Sequence, residues 1–195
     1  MVRWEPGAKE RLQLAAIELF LEHGYEQTTV QDIAVSTGLT ERTFFRHFAD
    51  KREVLFHGQD QYQAVFLRGA GSAPDGSTAF ELVVAAISAA QEFFPADRRA
   101  WSRQRQTVID ANPALLEREL LKRASLADAL AAAFRERGVQ DVDARIAAET
   151  GVTAFHLAFR QWISEGEERS LLEIEQDVLS RIDALMPGTA SVPNA

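Results

Sequence analysis

The chain has 195 residues, no cysteine and a formal charge of −8. That length suits one domain, or two small ones sharing a boundary, each able to bury a core. The lack of cysteine excludes a disulfide framework, a thiolate zinc site and a cysteine nucleophile, as a reducing cytoplasm permits. The acidic balance argues against coating nucleic acid or an anionic membrane with the whole surface, so any such contact must come from a local patch. The opening MVRWEPGAKER is polar and lacks the apolar run of a signal peptide. No stretch approaches the roughly 18 uninterrupted apolar residues of a membrane span. A cytoplasmic protein with no membrane partner is expected.

Apolar residues recur at three and four along most of the chain, and no run alternates as a strand would, so the fold class is all-α. Leu12, Ala16, Leu19 and Phe20 form the first stripe, which Gly24 closes at a positive φ. Thr29 followed by Asp32 is an N-cap with an acidic third residue, opening a short helix that Gly38 ends. Thr40 caps the next helix, and Asp50 with Glu53 resembles a capping box for a longer one reaching about Leu67. The segment GAGSAPDGS, Gly69 to Ser77, is the most turn-rich and reads as the boundary of a small N-terminal domain. Helices are expected at about Thr78–Phe94, Arg99–Asp110, Pro113–Arg137, Val142–Glu165 and Leu171–Met186, with Gly138, Gly166 and Pro187 as stops.

The helix from Thr40 to Phe48 has two characters. Phe44 and Phe48, four apart, share a face with Leu39 and suit a core. The other face carries Glu41, Arg42, Thr43, Phe45, Arg46 and His47, with Lys51 and Arg52 just beyond. Those last two cations open a helix, where the dipole disfavours them, so a local reason for them is missing. Two short helices around a glycine turn, the second with a cationic outer face, form the helix-turn-helix pattern, whose second helix enters the major groove. A solvated charged face on an ordinary helix is the plain alternative.

The order HGYEQTTVQDIA then STGLTERTFFRHFADKREVL, within residues 8–57, resembles the N-terminal domain of the TetR family of regulators. The resemblance implies a three-helix DNA-binding domain over residues 1–57, a larger helical effector-binding and dimerisation domain over 58–187, and a loose tail over 188–195. It implies that Thr29 touches the DNA backbone at the start of its helix, that Glu41, Arg42, Thr43 and Arg46 face the groove, and that His47 and Lys51 bind phosphate; Thr40 and Phe45 are further DNA-binding candidates. Phe45 stands where the family usually has tyrosine, so a hydroxyl contact is absent there; the ring can pack on a sugar or thymine methyl, or join the core. Arg42 is the candidate for base readout, since arginine takes guanine bidentately; phosphate is its other use.

One recognition helix reads few base pairs, so a homodimer on a palindromic double-stranded operator is implied. Small residues at Ala147, Ala148 and Gly151 with the stripe from Leu171 to Leu185 would suit a four-helix dimer contact, although periodicity alone does not separate that from an intrachain core. The candidate lining of a small-molecule effector site is Phe94, Trp101, Arg105, Phe134, Phe155, His156, Phe159 and Trp162, each of which is equally a core residue by spacing. The run from Arg98 through NPALLEREL resembles a TetR subgroup with an acyl-ligand-like C-terminal domain, pointing to an apolar or acyl-bearing effector. The competing class is an all-α small-molecule-binding protein or enzyme without DNA binding. No Glu-x-x-His pair, P-loop, dinucleotide glycine pattern, Gly-x-Ser-x-Gly or His-Glu-x-x-His occurs, so neither enzyme activity nor a metal or other cofactor is expected.

Overall fold

The computed structural model describes residues 7–185; the expected tail over 188–195 lies outside them. All regular structure among these residues is helical: α1 (Ala8–His23), α2 (Val30–Ser36), α3 (Glu41–His47), α4 (Glu53–Phe56), α5 (Gln59–Ser72), α6 (Ala79–Ser88), two 3₁₀ turns (Ala89–Glu92 and Ala96–Arg98), α7 (Arg99–Asp110), α8 (Pro113–Glu136), α9 (Asp141–Trp162) and α10 (Leu171–Leu185). None of these helices is long and apolar enough to cross a membrane by itself. The described residues fold into two compact units, one holding residues 7–59 together with Trp101–Leu120, the other Asp60–Ala100 and residues 121–185.

Each unit has its own core. In the first, Leu12, Ala16, Ile17 and Phe20 of α1 pack with Ile33, Phe44, Phe48, the α4 residues Val54, Leu55 and Phe56, and Val108, Ile109 and Leu115 from the later segment. In the second, Leu82, Val83 and Ile87 of α6, Leu126, Leu130 and Phe134 of α8, the inner face of α9 and Leu171, Ile174 and Leu179 of α10 form one cluster. The expected cap at α2 is present, Thr29 and Asp32 forming a reciprocal capping box, and α6 opens with a second such box, between Thr78 and Glu81.

Two expectations from local sequence give way to packing. The helix expected from Asp50 to Leu67 is two helices, because the chain leaves helical geometry at His57 (ψ 142°) and turns at Gly58 (φ 89°). The expected boundary near Gly69 lies inside α5, which continues to Ser72. Gly69 is there for close approach rather than for a turn: a Cβ on it would lie 2.5 Å from the Ala85 carbonyl oxygen and 2.7 Å from Ala89 Cβ. Gly71, in the same helix, has nothing within 4 Å of where its Cβ would be.

The small-residue stripe of α9 is also spent within the chain. Gly151 brings α9 against Val83, whose Cγ1 would be 3.2 Å from an added Cβ, and Ala144, Ala148, Ala154 and Ala158 are buried. The opposite face of α9 carries Val142, Ile146 and Leu157, which are 67%, 58% and 53% exposed.

One acidic side chain sits on the core face of α10. Glu175 is buried, and burial raises its carboxyl from the ordinary 4.5 to about 8. Between those values the folded protein holds a proton that the unfolded chain has released, so the contribution of Glu175 to stability is greatest below pH 4.5 and is lost as the pH rises to about 8.

Glu175→Gln is expected to remove the part of the pH dependence that falls in that window, so that denaturant midpoints of variant and parent diverge between pH 5 and pH 8 with the parent losing more. Gly69→Ala should cost about 1–3 kcal/mol in the same assay, because backbone must move to admit the methyl, whereas Gly71→Ala should be neutral or stabilise by up to about 1 kcal/mol.

Candidate nucleic-acid interface and ligand site

In α2, Thr29 Oγ1 accepts from the Asp32 N–H at 3.1 Å, while Asp32 Oδ2 accepts from the Thr29 N–H at 2.8 Å and from its hydroxyl at 2.6 Å. The two hydrogen bonds from Thr29 hold the Asp32 carboxyl below its ordinary value. The helix ends as Gly38 takes φ 69°, a conformation that β-carbons disfavour, and the Leu39 N–H returns to the Ala34 carbonyl at 2.8 Å. Thr40 then caps α3, its Oγ1 accepting from the Thr43 N–H at 3.2 Å.

This turn fixes the angle at which α3 is presented, and the phenylalanines fix its rotation. Phe44 and Phe48 are buried with ring centroids 5.2 Å apart, as the spacing of four predicts. Glu41, Arg42, Phe45 and Arg46 consequently point to solvent, Thr40 is exposed beside them, and Thr43 is half-buried. Phe45 is 53% exposed and packs by its edge on Phe44, so it is outside the core. Arg42 and Arg46 make no hydrogen bond or ion pair with any described residue.

The flanking cations differ. Lys51 Nζ donates to the Tyr25 carbonyl at 2.7 Å and the Thr28 carbonyl at 3.0 Å, and lies 4.1 Å from the Tyr25 ring centroid. It ties the loop after α1 to the segment before α4, with one of its three donors left. Arg52 is held by Asp50, whose Oδ1 also accepts the N–H groups of Arg52 and Glu53. Both cations thus have the local reason that helix-dipole arguments left missing. The Glu53 side chain is engaged elsewhere as well: its Oε1 accepts from Arg118 at 2.6 Å. His47 is half-buried beside Phe48, with its Nε2 enclosed and unpartnered.

The candidate effector residues divide between the two units. Arg105 belongs to the first, where its Nε donates to the Leu55 carbonyl at 2.8 Å, its Nη2 to Glu119 at 2.9 Å, and its guanidinium lies over Phe56. Trp101 packs against that same first core. The other six lie in the second unit, and four of them, Phe94, Phe155, Phe159 and Trp162, form a continuous ring cluster at centroid spacings of 5.1 to 6.0 Å. Phe134 is fully buried in the core around them, and His156 is half-buried on α9.

Tyr62, Phe66 and Phe93 complete the cluster: Tyr62 meets Phe66, Phe93, Phe94 and Phe155 edge-on. The spacing of four between Tyr62 and Phe66, inside the helix expected to reach about Leu67, is the signal that could have found those two. Arg98 lies 4.2 Å from the Phe93 ring centroid and Arg99 5.2 Å from that of Trp162, while Arg99 also donates to the carbonyls of Glu167 and Arg169. Tyr62, Phe93 and Phe94 are only partly buried, so the cluster reaches the surface of its unit. No group of three or more His, Asp or Glu comes together as a metal ion would require among the described residues.

Lys51→Met, which keeps the stem and deletes the ammonium, should destabilise the protein by about 1–3 kcal/mol without any DNA present, because two carbonyls lose their donor. Arg42→Ala should leave stability within about 0.5 kcal/mol of the parent, since an exposed, unpaired side chain is removed. Thermal melts of both variants check the contrast.

Residues 14–57 match the family model described as bacterial regulatory proteins, tetR family. The HTH-type transcriptional regulator TcmR of Streptomyces glaucescens is 38% identical over 81 residues, a match spanning 42% of this chain and 36% of TcmR. Among solved structures, SmeT of Stenotrophomonas maltophilia bound to triclosan superposes with TM-score 0.64 at 20% identity, covering 97% of this chain and 99% of that one. FadR of Bacillus subtilis in complex with stearoyl-CoA gives 0.62 at 19% identity, covering 88% and 95%. The structural likenesses are of fold, and the family model matches the helix-turn-helix. By residues 14–57 the chain carries a helix-turn-helix segment of the kind found in the TetR family of bacterial regulatory proteins.

Proposed function

We propose that this TetR-family regulator is a cytoplasmic homodimer that represses transcription from a palindromic operator and is released by a small effector bound among the aromatic residues of the second unit. The observation that carries the DNA half is the outward face of α3. Arg42 and Arg46, one turn apart, exposed and free of internal partners, stand on a helix whose rotation is set by buried phenylalanines, in a protein whose overall charge opposes nucleic-acid binding. Arginines kept free of carboxylates in an acidic protein are suited to guanine edges and phosphates. In this reading Arg42 reads a base, Thr40, Glu41, Thr43, Phe45 and Arg46 complete the groove contact, and Thr29, His47 and the third donor of Lys51 meet the backbone.

Dimer formation is assigned to the outer face of α9, where Val142, Ile146 and Leu157 recur at helical spacing and stay exposed in the single chain. The effector half rests on the ring cluster, which is apolar, edged by Arg98 and open to the surface at Tyr62, Phe93 and Phe94. SmeT, a repressor of an efflux pump, is solved with triclosan, and FadR with stearoyl-CoA, so a small apolar or acyl-bearing effector is in keeping with relatives of the same fold. An effector switches the protein only through different affinity for the DNA-bound and released states.

On a bound operator duplex, Arg42→Ala should cost about 1–3 kcal/mol at one base position and relax the preference there, while Arg46→Ala lowers affinity and reduces the salt slope by about 1. Titration of each variant against the duplex and its single-base substitutions at several salt concentrations checks this, and unchanged affinity in both variants contradicts the assignment. Ile146→Glu should shift the protein to monomer in sedimentation and weaken operator binding with it.

A further inference from the structure

On α10, Leu171, Ile174 and Leu179 lie in the second core, with Val178 and Ile182 packed against it. Glu175 stands on that same face, one turn from Leu171 and one from Leu179, and is 1% exposed. Both of its carboxyl oxygens are buried and neither has a hydrogen-bond partner among the described residues. Burial alone shifts it upward, with no neighbouring charge contributing. An apolar side chain would fill this position without cost, whereas a partnerless buried carboxyl forfeits its hydration and gains nothing in return. Such a group is explained by a partner that arrives from outside the chain.

The same core encloses the rings of Phe155, Phe159 and Trp162, and α10 packs chiefly on α9, which carries them. A carboxyl and several aromatic rings within one apolar core are the two elements that recognise an organic cation: the carboxylate supplies countercharge and acceptor, and the ring faces supply area and attraction for positive charge. The rings of this cluster already take cations at the arginines over Phe93 and Trp162.

We propose that Glu175 is the polar anchor of the effector site and that it selects an amine, a compound with an apolar, ring-bearing body and a protonated nitrogen that donates to the Glu175 carboxylate. This rests on the reading of the second unit as the effector domain, and it narrows the effector class from apolar or acyl-bearing compounds to basic ones. The proton held by free Glu175 leaves as the ammonium arrives, so binding near neutral pH releases about one proton per site.

The test uses the full-length protein and three probes with one ring system: 1-naphthylmethylamine, 1-naphthalenemethanol and 1-naphthoate, titrated calorimetrically at pH 7 in two buffers of different ionisation enthalpy. The parent should bind the amine at least about tenfold more tightly than the alcohol or the carboxylate, as a desolvated charge pair warrants, with proton release for the amine alone. Glu175→Gln and Glu175→Leu, whose folding is checked by thermal melts, should bind the alcohol as the parent does and lose both the amine preference and the proton release. Equal binding of amine and alcohol by the parent, tighter binding of the carboxylate, or an amine preference that survives in both variants would overturn the assignment of Glu175 while leaving an effector site in place. Saturable binding of none of the three would instead overturn the effector reading on which the proposal rests.

Discussion

The burial of Phe44 and Phe48 is the constraint on which the reading face depends. A seven-residue helix has little stability of its own and no fixed rotation until something holds one side of it. The two rings, buried against the first core, supply that hold, and the positive-φ turn at Gly38 sets the entry of the helix. Once those are in place, the faces of Arg42, Phe45 and Arg46 have nowhere to go but outward. The cations are displayed by the packing of their apolar neighbours, so core and interface in α3 are one design seen from two sides.

The rest of the first unit reinforces that hold with charge-assisted hydrogen bonds rather than with more apolar area. Lys51 fastens the loop after α1, Arg105 caps the Leu55 carbonyl while paired with Glu119, and Arg118 meets Glu53. Arginine and lysine therefore do two jobs in this unit: some are consumed internally, and two on α3 remain unpaired. In the second unit the polarity is reversed. Its core is densely aromatic and aliphatic, and it encloses an acid, Glu175, whose carboxyl has no hydrogen-bond partner among the described residues. A cationic outward face in one unit and an enclosed acid in the other are the features on which the proposals of an anionic partner and a basic one rest.

The helix-turn-helix was readable in the sequence because its signals are local. Caps at Thr29 and Thr40, the turn at Gly38 and the spacing of Phe44 and Phe48 all act within a few residues of themselves, and the structure has each of them as the pattern predicts. What the sequence hid depends on contacts far along the chain. Gly69 reads as a turn until α6 is seen pressed against it, and the stripe of small residues on α9 reads as a partner face until Val83 occupies it. Arg105 and Trp101 looked like effector residues because aromatic and polar side chains at helical spacing carry no label of the core they join. Only the fold sends them to the first unit and collects Tyr62, Phe66 and Phe93 with Phe94, Phe155, Phe159 and Trp162. Glu175 is on the apolar stripe by its spacing of four from Leu171 and from Leu179, but that spacing does not tell that its carboxyl is enclosed without a hydrogen-bond partner among the described residues.

The most direct test of the central claim, that a dimer reads DNA sequence through α3, is selection of bound duplexes from a random library by the full-length protein, with the enriched sequence then titrated against salt. The account predicts an inverted repeat whose half-sites are centred about 34 Å apart or somewhat more, bound with an affinity that falls steeply as salt rises. Failure of a folded, effector-free protein to enrich any sequence over the starting library would contradict it.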